Sequence, residues 1–170
     1  WFRNDWSWGR AEQKPSLVLD KLATCPTIRS SHPLLGEYFF FADSPDELLF
    51  TENETNTQRL YAVECAPYVK DSFHDYLIHG KKEVVNAAKI GSKMCAVYAK
   101  TILPGATVTV RLRLTAASAD SIQSPTPLRF ATGASVSNLQ SQPFSDFDQI
   151  FTACIQDAND YYNELQPKNL

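Results

Sequence analysis

No apolar run in this chain approaches the roughly 20 consecutive residues that a membrane-spanning helix needs, so the sequence contains no membrane segment. It also has no C-x-x-C pair. Cys25, Cys65, Cys95 and Cys154 lie far apart, which removes support for zinc-ribbon and thioredoxin-like readings. That spacing suits unbridged, buried thiols in a reducing compartment. Positive charge is not in excess: the net charge is -3, so there is no electrostatic case for a nucleic-acid partner. A G-x-S-x-G nucleophile elbow is absent, as are internal repeats. The opening WFRNDWSW lacks the basic start and apolar core of a secretory signal, and residue 1 is Trp rather than Met. The chain is therefore expected to begin inside a longer protein or after processing.

What is present fits one domain of ordinary composition, 170 residues with 44% hydrophobic and 21% charged side chains. If Trp1 to Trp8 is a strand, Trp6 and Trp8 share one face, with Gly9 as the break. Ser16–Asp20 (SLVLD) is a short strand. Residues 23–36, with Pro26, Ser30, Ser31, Pro33 and Gly36, read as a loop. Glu37–Ala42 (EYFFFA) is an aromatic strand, and after the turn chemistry of Ser44-Pro45-Asp46 comes another at Glu47–Glu52.

Further on, Phe73, Tyr76 and Leu77 fall on one helical face. Asp71 or Ser72 is placed to cap that helix, and Gly80 to close it. After a turn at Lys81–Glu83, residues 92–103 read as a strand. Pro104-Gly105 then turns into Ala106–Leu114, where alternation is strict. Val108, Val110, Leu112 and Leu114 are expected to face the core, and Arg111 and Arg113 to be solvated edge charges. The turn predicts pairing of this strand with the preceding one.

Residues 115–143, with Pro125, Pro127 and Pro143, read as a Ser/Pro-rich excursion or linker. Beyond it, Phe147, Ile150, Phe151, Cys154, Ile155, Ala158, Tyr162 and Leu165 form a stripe at helical spacing. Ser145 and Asp148 resemble a capping pair, and Pro167 prevents continuation. The fold class is thus mainly β: an antiparallel β-sandwich-like domain over 1–114 with a short helix, the 115–143 excursion, and an amphipathic C-terminal linker helix within 144–170.

The densest polar stretch runs from Leu48 to Gly80. Between apolar flanks, unpaired groups would each cost about 1–3 kcal/mol. Asn53, Glu54, Asn56, Arg59 and Asp71 are therefore expected to form a polar network at one end of the sheet. Catalytic readings of this stretch are weak. Glu52 and Glu54 on a strand point to the same side, whereas a glycosidase needs carboxylates on opposite sides of the scissile bond. Asp71, His74, Asp75 and His79 make a poor metal set, since helix capping explains Asp71 equally well. A Ser72-His74-Asp75 triad would need sequence neighbours to converge, which they rarely do. The tryptophans suit either stacking on sugar rings or packing. Asn53-Glu54-Thr55 is a glycosylation sequon, informative only for a secreted protein.

Four segments carry a resemblance: WFRNDWSWG, LLFTENETNTQRL, APYVKDSFHDYLIHG and FSDFDQIF with DANDYYNEL. Together they resemble a segment of glycoside hydrolase family 63-type glucosidases, large microbial and fungal relatives of mannosyl-oligosaccharide glucosidase. The 115–143 stretch departs from that pattern and looks like an insertion. The resemblance implies a β-sandwich joined by a helical linker to a downstream (α/α)6 barrel that carries an inverting pair of carboxylates. No residue here matches that pair, so no catalytic residue, metal or cofactor is assigned. The implied roles are substrate rim or domain interface, for Trp6, Trp8, Asn53, Glu54, Asn56, Arg59, Lys70, Asp71 and His74. The implied partners are the barrel and an oligosaccharide. The expected function is that of an accessory domain of an oligosaccharide-processing α-glucosidase. The alternative is a stand-alone carbohydrate- or protein-binding β-domain. Cysteine usage favours the cytoplasm, and secretory-pathway kinship would instead place the chain in the endoplasmic-reticulum lumen.

Overall fold

The computed structural model describes residues 1–10, 13–20, 25–116 and 142–165. They form a mostly β structure of two antiparallel sheets, helices and a C-terminal arm. The strands are β1 (Ser16–Asp20), β2 (Thr27–His32), β3 (Gly36–Ala42), β4 (Glu47–Thr51), β5 (Ile90–Gly91), β6 (Lys93–Val97) and β7 (Leu112–Ala116). The helices are α1 (Thr57–Tyr61), α2 (Ser72–His79) and α3 (Phe147–Leu165). One sheet has the order β5-β1-β2-β3-β7, and β4 and β6 pair as a second, two-stranded sheet.

The sheets pack as layers because alternate residues point to opposite faces. Leu17, Ile28 and Phe40 of the large sheet meet Leu48, Phe50, Met94 and Ala96 of the small one. The opposite face of the small sheet, with Leu49, Cys95 and Val97, is covered by Phe73 and Tyr76 of α2 together with Val84 and Val85. β4 is thus apolar on both sides, which is why ELLF reads as a continuous run and not as an alternation. Burying a side chain such as Phe50 contributes about 1.5–3 kcal/mol. On the far face of the large sheet, Phe39 and Phe41 pack against Phe144 of the arm that leads into α3.

Five expectations require correction. Trp6–Trp8 is a 3-10 turn closed by Gly9 at φ 66°, whose N–H donates to the Trp6 carbonyl, so the two rings do not share a strand face. Trp6 is half-buried and Trp8 is exposed. Within the expected loop at 23–36 lies β2, a central strand paired on both edges. Its prolines stand just outside it, at Pro26 and Pro33, where they remove no ladder donor.

The third correction concerns β7. It pairs with β3 and not with β6, in the register Phe41↔Arg113 and Phe40↔Leu114. Regular pairing begins only at Leu112 and continues to Ala116, into the stretch read as linker. The strand's faces are also reversed with respect to solvent. Leu112 and Leu114 are exposed, while the Arg113 side chain is 14% exposed. Arg113 donates to the Pro143 carbonyl at 2.8 Å and to the Asp146 carboxylate, so it fastens the arm to the sheet. That pairing outweighs the preference of leucine for the interior. Fourth, the strand expected over 92–103 ends at Val97. Fifth, helix capping differs in part: Asp71 and Gly80 do stand at the N-cap and C-cap of α2, but the Asp71 side chain makes no capping bond, and the Ser145 hydroxyl donates back to the Gln142 carbonyl. The remainder of the 115–143 excursion, 117–141, lies outside the described residues, as does Pro167.

α3 has no buried residue. Phe147 stacks on Phe151 with ring centroids 6.1 Å apart, and Phe144 meets Phe147 edge-on. Phe151, Ile155, Tyr162 and Leu165 are exposed, so the stripe is uncovered along most of its length. No described helix is long and apolar enough to cross a membrane. All four cysteines are free, but none is buried as expected: Cys25, Cys65 and Cys95 are half-buried, and Cys154 is exposed because the stripe around it is.

Candidate functional site

β4 ends at Thr51 and delivers the polar ENETN segment to the end of the small sheet. There it is stitched into two linked clusters. In the first, the Asn53 side chain donates to the Phe2 carbonyl at 2.7 Å, and the Asn53 carbonyl accepts from Asn4 at 2.8 Å. The backbone N–H of Asn53 reaches the Ser92 hydroxyl, which itself donates to Glu52. Glu54 accepts from the Trp6 indole N–H at 3.0 Å and from Lys14 at 3.1 Å. Lys14 also pairs with Glu52 at 2.7 Å. Burial alone would push the Lys14 ammonium down, but hydrogen bonds and charge from Glu52 and Glu54 hold it above its ordinary value. The two carboxylates therefore converge on one cation, which removes them from acid–base work across a sugar.

In the second cluster Asn56 is the N-cap of α1, its side-chain oxygen accepting from the Arg59 N–H at 2.9 Å. Its amide nitrogen donates to Asp71 at 3.1 Å, and Arg59 approaches the same oxygen at 3.5 Å. The other Asp71 oxygen is buried without a partner. A backbone bond from the Lys70 N–H to the Glu54 carbonyl, 3.0 Å, joins the clusters, and the Lys70 ammonium reaches Thr55. His74 and Trp8 stay exposed and outside this network. Lys14 and Ser92 were not foreseen from the sequence, and Glu52 was weighed there only as half of a carboxylate pair. Lys14 and Ser92 are each about 40 residues from their carboxylate partners, and no local pattern carries such a pairing.

Beside Trp6 lies a cleft of about 430 Å3. Arg3, Asp5, Arg10 and Gln13 line it together with His32 and the Pro33-Leu34 turn. Arg3 pairs with Asp5 at 3.1 Å. The His32 ring packs on Phe2 at 4.9 Å, and its Nδ1 accepts from the N–H groups of Leu34 and Leu35 at 3.1 and 3.2 Å. Among the described residues, no group of three or more His, Cys, Asp or Glu is placed to hold a metal ion.

The geometry defines a two-sheet, mainly β domain with an uncovered C-terminal helix and a polar junction at one sheet end. Over 193 aligned residues it is 31% identical to Uncharacterized protein YMR196W of Saccharomyces cerevisiae. That alignment takes in 98% of this chain but 16% of the yeast protein, so the chain spans about a sixth of its relative's length. No family model and no solved structure matches the chain.

Proposed function

We propose that this chain is a non-catalytic β-domain of a larger glycoside-hydrolase-type polypeptide, an oligosaccharide-processing α-glucosidase, in which it buttresses a helical (α/α)6 catalytic domain. The observation that carries this reading is the apolar stripe of α3, where Phe151, Ile155, Tyr162 and Leu165 are all exposed. A helix with an apolar stripe and no buried residue is suited to a partner surface. The small share of the yeast relative that the chain covers is in keeping with such an arrangement. So is the pairing of both Glu52 and Glu54 with Lys14, which does not set these two carboxylates on opposite sides of a substrate bond.

The test is hydrolysis of an aryl α-glucoside by three proteins: this chain, the yeast relative, and that relative with the matching region deleted. The reading expects turnover only by the intact relative. Turnover by this chain alone would overturn it, and so would full activity of the deleted form.

A further inference from the structure

We propose that the cleft beside Trp6 binds a compact anionic sugar, a pyranose carrying one phosphate or carboxylate group. This inference stands apart from the accessory role, because it rests on the cleft and not on α3. The cleft presents mainly donors. Arg10 has no acidic partner among the described residues, and Arg3 shares its charge with Asp5. Because His32 Nδ1 is occupied as an acceptor by two backbone N–H groups, its free ring nitrogen is left as an N–H donor. Among the described lining residues, two guanidinium groups stand against one carboxylate, on a chain whose net charge is -3.

An acid group is therefore the ligand feature best matched to Arg10, since guanidinium forms paired, charge-assisted bonds with carboxylate and phosphate. Gln13 and Asp5 add a mixed donor and acceptor set suited to hydroxyls. Trp6 supplies the flat surface. Its indole N–H is held by Glu54, which Lys14 also binds, so the apolar ring is what Trp6 adds to the lining of the cleft. A pyranose presents C–H groups that stack on such a face. The volume of about 430 Å3 lies in the range of small-molecule sites and exceeds one sugar ring.

The experiment follows the Trp6 indole N–H resonance of the 15N-labelled chain during titration, with its assignment fixed by Trp6→Phe. Glucose 6-phosphate and glucuronate separate the two acid groups. Inorganic phosphate, glucose and AMP are the comparison ligands. At least one acidic sugar is expected to shift the resonance saturably, with phosphate and glucose each about tenfold weaker. Arg10 is exposed, so Arg10→Ala should keep the wild-type unfolding transition while weakening binding about 10- to 100-fold, the loss of a charged hydrogen bond. Read by isothermal titration calorimetry, which needs no Trp6 signal, Trp6→Leu should weaken the acidic sugar and leave the weak phosphate response. No saturable shift with either acidic sugar would overturn the proposal, as would wild-type affinity in Arg10→Ala. Equal affinity for phosphate alone, or tighter binding of AMP, would overturn the sugar assignment.

Discussion

At Gly91 the backbone of β5 comes so close to β4 that a Cβ would lie 2.2 Å from the Thr51 carbonyl oxygen. Backbone cannot yield as a side-chain tip can, so Gly91→Ala must separate the two segments. The expected loss is about 1–3 kcal/mol, read by urea denaturation. The neighbouring Thr51 hydroxyl is fully buried and has no hydrogen-bond partner. Thr51→Val replaces a desolvated hydroxyl with a methyl of similar size. It is expected to hold stability or raise it by about 1 kcal/mol. A clear loss in the same denaturation measurement would show that the hydroxyl is satisfied in solution. Both sites lie within the polar junction, where Glu52 and Asn53 follow directly on Thr51. A change in the unfolding midpoint should therefore accompany any change in the Trp6 environment.

At the scale of elements, two attachments decide how the pieces are held. Asn56 caps α1 and reaches Asp71 at the start of α2, so Asn56→Ala is expected to cost about 1 kcal/mol and to loosen α1 selectively in hydrogen exchange. The arm before α3 is fastened by Arg113 and Asp146. The hydrogen bond from Arg113, more than any other influence, holds the Asp146 carboxyl below its ordinary range. A carboxyl depressed in the folded state binds fewer protons there than in the unfolded chain. Its contribution is thus complete above the unfolded value of about 3.9 and is lost as pH falls through the lower folded value. Acid below about pH 4 should release the arm before the sheets unfold, and Asp146→Asn should abolish that step. Phe144 line shapes in NMR report it.

These elements also show what could be read in advance. β1, β3, β4, α2 and α3 were legible because periodicity, aromatic content and end signals agree within each segment. β2 was not, since TIRSSH has little apolar alternation and earns its place by pairing on both edges. β7 showed its alternation plainly, but alternation does not say which face meets the rest of the chain. Asp146, 33 residues from Arg113, decides that. The junction was legible as a density of pairable groups around Asn53, Glu54, Asn56, Arg59 and Asp71. Its Lys14 and Ser92 partners and the Trp6 indole bond to Glu54 depend on contacts across 38 residues or more, which no local window contains.

For the whole molecule, the two sheets and α2 share their cores, and we propose that α3 presents its apolar face to a separate helical domain. The face is exposed at Phe151, Ile155, Tyr162 and Leu165. Phe151→Glu with Ile155→Glu should leave the unfolding transition unchanged, because neither side chain is buried in this structure. The most direct measurement is sedimentation velocity of this chain mixed with the yeast relative lacking its matching region. The account predicts a one-to-one complex with the wild-type chain and none with the double glutamate variant. A complex that forms equally well with the variant, or no complex with the wild-type chain, would contradict it.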